Sequence, residues 1–184
     1  MLIGMRTRKI AVTAFGILFV LLFIPLAGIA IGADSTAPDF ALPNMDGKDV
    51  KLSQLLGHGP VIVDFWATWC KPCIKGFPGL QQIHDRYRNR GLTVLAISVD
   101  SPKSRERVAP FIKSGKYTFE VLYDTDGKVA RKYGAVVVPR TVLINSKGEI
   151  VYTATGYRPT NEEQLDQAVK ALFPKREGEG PVVQ

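Results

Sequence analysis

The chain has 184 residues, 46% of them hydrophobic, with 24 basic against 17 acidic side chains and a formal net charge of +7. Three of those positive charges, Arg6, Arg8 and Lys9, come before the first acid at Asp34, which leaves about +4 for everything after the opening segment. The remaining basic residues, such as Lys103, Arg105, Arg107, Lys113 and Lys116, alternate with acids and apolar residues and form no aromatic-studded stripe. That argues against nucleic-acid binding and for an ordinary solvated surface.

The first element is an uncharged run of 23 residues from Ile10 to Gly32, "IAVTAFGILFVLLFIPLAGIAIG". A hydrocarbon core needs about 20 apolar residues to be crossed. The run reads as a retained membrane anchor or as a signal peptide ending near Ala30, Gly32 and Ala33. Its length favours the anchor. In either case residues 1–33 are a targeting segment, and the basic flank stays inside so that the rest faces outward. Residues 34–174 are long enough for one domain with its own core. The closing "KREGEGPVVQ" (175–184) reads as a frayed tail.

Within the domain, "TAPDFALPNMDGKDVKLSQLL" (36–56) predicts a hairpin turned at Asp46-Gly47. "PVIVDFWA" (60–67) and "LTVLAISVD" (92–100) are apolar and β-branched, as expected of strands buried on both faces. Between them Ile74, Phe77, Leu80 and Ile83 recur at helical spacing, with Pro78 expected to kink the helix and Gly91 to end it. "SPKSRERVAPFIKSG" predicts a second helix capped by Ser101 with Pro102 in its first turn. "FEVLYD" is a short strand closed by the turn "DTDG" (124–127), and a short helix is expected near 128–133. "RTVLIN" (140–145) and "EIVYTATG" (149–156) form a hairpin around "SKG". Thr160 and Glu163 read as a capping box for a last helix whose Leu165, Ala168, Val169 and Leu172 share a face. A parallel start followed by an antiparallel hairpin implies an α/β fold, a mixed central sheet with helices on both faces.

Both cysteines of the chain, Cys70 and Cys73, lie in "FWATWCKPCIKGFP". A structural zinc needs four ligands. Besides the cysteines only His58 and His84 are natural candidates, and His84 falls mid-helix, so no metal is expected. A disulfide closing so short a loop removes little chain entropy and is a weak staple. A redox pair accounts for the flanks. Cys70 ends a buried strand at a helix tip, where unpaired N–H groups and the helix dipole stabilise a thiolate. Cys73, a turn further in, can resolve a mixed disulfide, and Pro72 sits where its missing N–H is not needed. Lys71 adds a positive charge beside them. Asp64, inside "VIVDFW", is expensive to bury as a carboxylate, so its pKa should rise.

"VDFWATWCKPC" resembles the active-site strand and turn of the thioredoxin fold. Together with "APDFALPNMDGKDVKLSQLLG", "VLAISVD", "YGAVVVPRTVLIN" and "GEIVYTATG", it resembles the membrane-anchored or periplasmic TlpA/ResA-like branch, from Ala37 to Phe173. The resemblance implies that Pro139 is the cis-proline facing the cysteine pair. It implies that Val138 offers backbone groups to an extended substrate segment, and that Asp64 relays a proton for Cys73. Trp66 and Trp69 would pack around the pair, and Trp69, Lys71 and Pro72 would form the active-site loop. The activity implied is thiol–disulfide exchange on exported proteins, with a membrane protein supplying electrons and no cofactor beyond the Cys70–Cys73 disulfide. Many members of this branch carry a glutamate three residues after the second cysteine, associated with cytochrome c maturation; this chain has Gly76 there. A peroxiredoxin would share the "APDF" opening but needs P-x-x-x-T-x-x-C. Val63 and Ala67 hold those places before Cys70, and Trp66 and Cys70 hold them before Cys73. A non-catalytic binding module of the same fold would not need both thiols.

Overall fold

The computed structural model describes residues 35–173 of the chain. The expected targeting segment (1–33) and frayed tail (175–184) therefore lie outside the described residues. Among the described residues no helix is long and apolar enough to cross a membrane.

The domain opens with β1 (Ala41–Pro43) and β2 (Asp49–Lys51), an antiparallel pair with Ala41 opposite Lys51. The Asn44 side chain accepts hydrogen bonds from the Asp46 and Lys48 amides, which closes the turn where Asp46-Gly47 predicts it. A four-residue helix not legible in the sequence, α1 (Leu52–Leu55), follows directly. Its Leu52 is fully buried, so tertiary burial rather than local propensity holds it.

Next come β3 (Val61–Trp66), α2 (Lys71–Tyr87) and β4 (Thr93–Ser98). Pro78 lies inside α2 without ending it; the helix gives way to a 3-10 turn at Arg88–Arg90 and then to Gly91 at φ 99°. That left-handed conformation favours glycine at a helix terminus. The next helix, α3, spans Val108–Gly115 and begins six residues later than a Ser101 cap predicts. Ser101 does not cap it. The Ser101 carbonyl instead accepts from the Ser104 and Arg105 amides, and a 3-10 turn at Arg105–Arg107 leads in. Only with Val108 and Ile112 does an apolar face reach the core.

The chain continues through β5 (Glu120–Tyr123), α4 (Lys128–Lys132), β6 (Arg140–Ile144), β7 (Ile150–Thr155) and α5 (Pro159–Ala171). The expected capping box is absent: Arg158 is the N-cap, no side chain caps it, and Thr160 is already helical. Pro159 at the first position starts the helix two residues early. Its face is as predicted, with Leu165 and Val169 buried and Ala168 and Leu172 packed against the core.

Five strands make one mixed sheet in the order β5-β4-β3-β6-β7, with β3 parallel to β4 and antiparallel to β6. β3 is buried at all six positions. Alternation sends Ile62 and Trp66 into the cluster with Phe77, Leu80, Leu165 and Val169. It sends Val61, Val63 and Phe65 into a second cluster with Phe40, Leu52, Val129 and Tyr133. A sheet covered on both faces explains why β3 and β4 read as unbroken apolar runs.

Candidate active site

Cys70 stands between the end of β3 and the start of α2. Its amide donates to the Ala67 carbonyl at 3.0 Å, closing a turn. Its own backbone is extended (φ −86°, ψ 92°), and its Sγ accepts the Cys73 amide at 3.2 Å, so the cysteine sulfur itself caps the helix. One of the amides left unpaired at a helix start is thereby directed at Sγ. A thiolate in that place gains a charge-assisted hydrogen bond and the favourable end of the helix dipole. The two cysteines are joined as a disulfide. Both are buried, with Cys70 4% and Cys73 2% exposed, so the closed bridge is less accessible than its short loop implies. The difference between them lies in their partners more than in exposure.

The Val138–Pro139 peptide is cis. The Val138 carbonyl oxygen lies 3.6 Å from Cys70 Sγ, across 68 residues of sequence. Trp69, Val136 and Val137 are 63%, 87% and 61% exposed, unusual for such large apolar side chains. Together with Val99, Ala130 and Arg131 they line a groove of about 560 Å³ beside this contact. Lys71 and Pro72, between the two cysteines, are exposed. The two tryptophans divide. Trp69 stands out in the groove, whereas Trp66 is fully buried against Phe77 (ring centroids 4.6 Å) and Phe111 (5.3 Å), in core packing.

Asp64 is buried, and the Thr141 hydroxyl donates to its Oδ1 at 2.7 Å. Burial pushes its carboxyl up to about 7, against the lowering effect of that hydrogen bond. Asp64 and Cys73 line one cavity of about 50 Å³, together with Gly76, Pro139, Thr141 and Tyr157. That volume admits water, for which about 10–15 Å³ suffices. A Cβ on Gly76 would meet the Tyr157 ring at 3.3 Å. Tyr157, on the loop between β7 and α5, stands beside Gly76, and Asp64 and Glu162 are the acids that line this cavity.

The structure brings Cys70, Cys73, Asp64, Trp69, Val138 and Pro139 to one end of the sheet. His84 lies half-buried on α2, and among the described residues no group of three His, Cys, Asp or Glu could hold a metal. Sequence reasoning missed Thr141, Tyr157 and the pair Thr68–Asp100. An acid closing the apolar run "LAISVD" was a signal of the kind that singled out Asp64.

Residues 33–153 match the model of the AhpC/TSA family. Thiol-disulfide oxidoreductase ResA of Bacillus subtilis is 38% identical over 127 residues, 69% of each chain. The ResA of Geobacillus thermodenitrificans is 32% identical over 145 residues, 79% of this chain and 80% of that one. Among solved structures, StoA of Bacillus subtilis superposes with a TM-score of 0.60 at 29% identity, covering 73% of this chain and 98% of that one.

Proposed function

The chain belongs to the AhpC/TSA family and to the ResA-type thiol–disulfide oxidoreductases, and on that premise we propose that it reduces disulfides of exported proteins on the outer side of the cytoplasmic membrane. The observation that carries the reading is the Cys70–Cys73 disulfide at the N-terminus of α2, with Cys70 Sγ facing the Val138 carbonyl. In the reduced protein the Cys70 thiolate attacks one sulfur of a substrate disulfide. That S–S bond breaks, a mixed disulfide forms, and the departing substrate sulfur takes up a proton. Cys73 then gives its proton to Asp64 and attacks Cys70 Sγ, which releases the second substrate thiol. The protein is left with the Cys70–Cys73 disulfide, two electrons poorer, and an integral-membrane thiol carrier restores it.

The groove of Trp69, Val136 and Val137 supports a substrate that is itself a polypeptide. An extended segment laid along Val138 could use backbone groups there in the manner of an added strand. The absence of P-x-x-x-T-x-x-C at either cysteine speaks against a peroxidase. Gly76 supplies no carboxylate at the position of the branch's glutamate, which speaks against the glutamate-dependent handling of apocytochromes. The test is titration of the cysteine pair in redox buffers with insulin reduction in parallel. A pair that glutathione buffers reduce readily, with no insulin reduction by the chemically reduced protein, would reject the reductase.

Location has its own expected result. The full chain should stay in the membrane fraction through carbonate washing, with its domain protected from reagents confined to the cytoplasm, because residues 10–32 are uncharged behind a basic flank. A mature N-terminus at Ala33 or Asp34 in soluble protein would show cleavage instead.

A further inference from the structure

Asp100 is a fully buried acid outside the redox site. Its Oδ2 accepts the Thr68 amide at 2.8 Å and the Ser98 hydroxyl at 3.0 Å, and its Oδ1 accepts the Thr68 hydroxyl at 2.7 Å. Neither oxygen is idle. Thr68 lies two residues before Cys70 in the turn that β3 hands to α2, and it is gripped through both backbone and side chain. A buried carboxylate is expensive unless fully hydrogen-bonded, and a surface turn does not by itself need one beneath it.

From this we propose that Asp100, through Thr68, is the positioning residue for the redox turn. It sets Cys70 Sγ against the Cys73 amide and turns Trp69 out into the groove. Alternation along the turn carries the argument: Thr68 points inward to Asp100, Trp69 is 63% exposed, and Cys70 returns inward to cap α2. Were the grip on Thr68 released, the turn would lose its side-chain anchor. Sγ would then lose alignment with the one backbone amide directed at it at 3.2 Å. The thiolate, which depends on that hydrogen bond more than the thiol does, would be the species destabilised.

The inference rests on Cys70 being the attacking thiol. The test alters Thr68 rather than Asp100, because removing the acid would also delete a negative charge near the thiol and lower its pKa by itself. Thr68→Val keeps shape and charge and removes the Oγ donor; Thr68→Ser restores it. The other charged groups around Cys70 are unchanged by either: Lys71 on α2, Asp64 on β3, Arg131 on α4, and none in residues 134–139 before β6. The readout is the pH profile of Cys70 alkylation in the reduced full chain, with wild-type insulin reduction as the control. The expected result for Thr68→Val is a midpoint about one pH unit higher, with alkylation below it about tenfold slower, and Thr68→Ser at the wild-type midpoint. If Thr68→Val does not fold, Thr68→Ala carries the same expectation. A wild-type alkylation midpoint in the valine or alanine variant, with only its denaturation midpoint lowered, overturns the proposal and leaves Asp100 structural. Loss of insulin reduction in wild type itself would instead reject the thiol–disulfide reading on which the proposal stands.

Discussion

Cys70→Ser is expected to lower disulfide reduction by about a thousandfold or more, the scale on which removal of a covalent nucleophile acts. The fold should survive. Serine is a strong N-cap, and its Oγ can take the Cys73 amide that Sγ now accepts at 3.2 Å. The lost bridge spans a short loop and contributed little stability by constraining the unfolded chain. Loss of activity in a stably folded protein therefore assigns the nucleophile. Cys73→Ser is expected to do something different: it should accumulate a mixed disulfide between Cys70 and substrate, visible on non-reducing gels and by intact mass. Both thiols are buried, so exposure alone does not order them. The helix-capping hydrogen bond and the Val138 carbonyl at 3.6 Å do, and both belong to Cys70. If Cys73 is the more readily alkylated thiol of the reduced protein, the two roles are exchanged.

Replacing Asp64 should make the protein more stable and slower. The carboxyl is buried and displaced from 3.8 to about 7. A folded-state pKa raised in an acid means that the folded chain holds a proton the unfolded chain has released. Stability then falls as pH rises between about 4 and 7 and stays lower above that window. The displacement corresponds to at most about 4 kcal/mol, and relaxation around the site will return less. Asp64→Ala should thus gain on the order of 1 kcal/mol or more at pH 8, and nothing at pH 4, by denaturant titration at both. The kinetic sign is opposite. Between about pH 7 and 8.5 wild-type Asp64 is ionised and can accept the Cys73 proton across the shared cavity, while a free thiol is still mostly protonated. Resolution of the mixed disulfide in Asp64→Ala should be slowest relative to wild type in that interval. It should recover above it, and the two proteins should converge below it as Asp64 itself protonates. Wild-type resolution rates at pH 7.5 in the variant would reduce Asp64 to a structural residue.

The strands and helices were legible wherever a local period carried them. β3 and β4 appear as apolar runs because both faces are covered, and α2 and α5 as 3.6-residue periods because one face is. The errors fall where a local rule lost to packing. Ser101-Pro102 satisfies the chemistry of a helix start, yet no apolar residue there reaches the core, so the helix waits for Val108. Thr160 and Glu163 satisfy a capping box, yet Pro159 is already suited to the first helical position. Leu52–Leu55 is too short to show a period at all and exists because Leu52 is buried.

By itself the sequence determined the chemistry of this protein. Two cysteines three residues apart, at the junction of an apolar strand and a helix with Pro72 at its start, restrict the pair to redox work, because the ligands for a metal and the loop for a staple are both missing. Asp64 was equally plain, since an acid inside "VIVDFW" is conspicuous against its neighbours. The family resemblance pointed to Val138 and Pro139 beside the pair, but the contacts themselves were decided only by the tertiary structure. Val138 comes to Cys70 across 68 residues, Thr141 to Asp64 across 77, and Asp100 to Thr68 across 32. Tyr157 stands beside Gly76 from a loop at the far end of the chain. Periodicity reports which face of an element is buried. It is silent on which residues meet there, and pairings between remote segments exist only once strand order and register have been set.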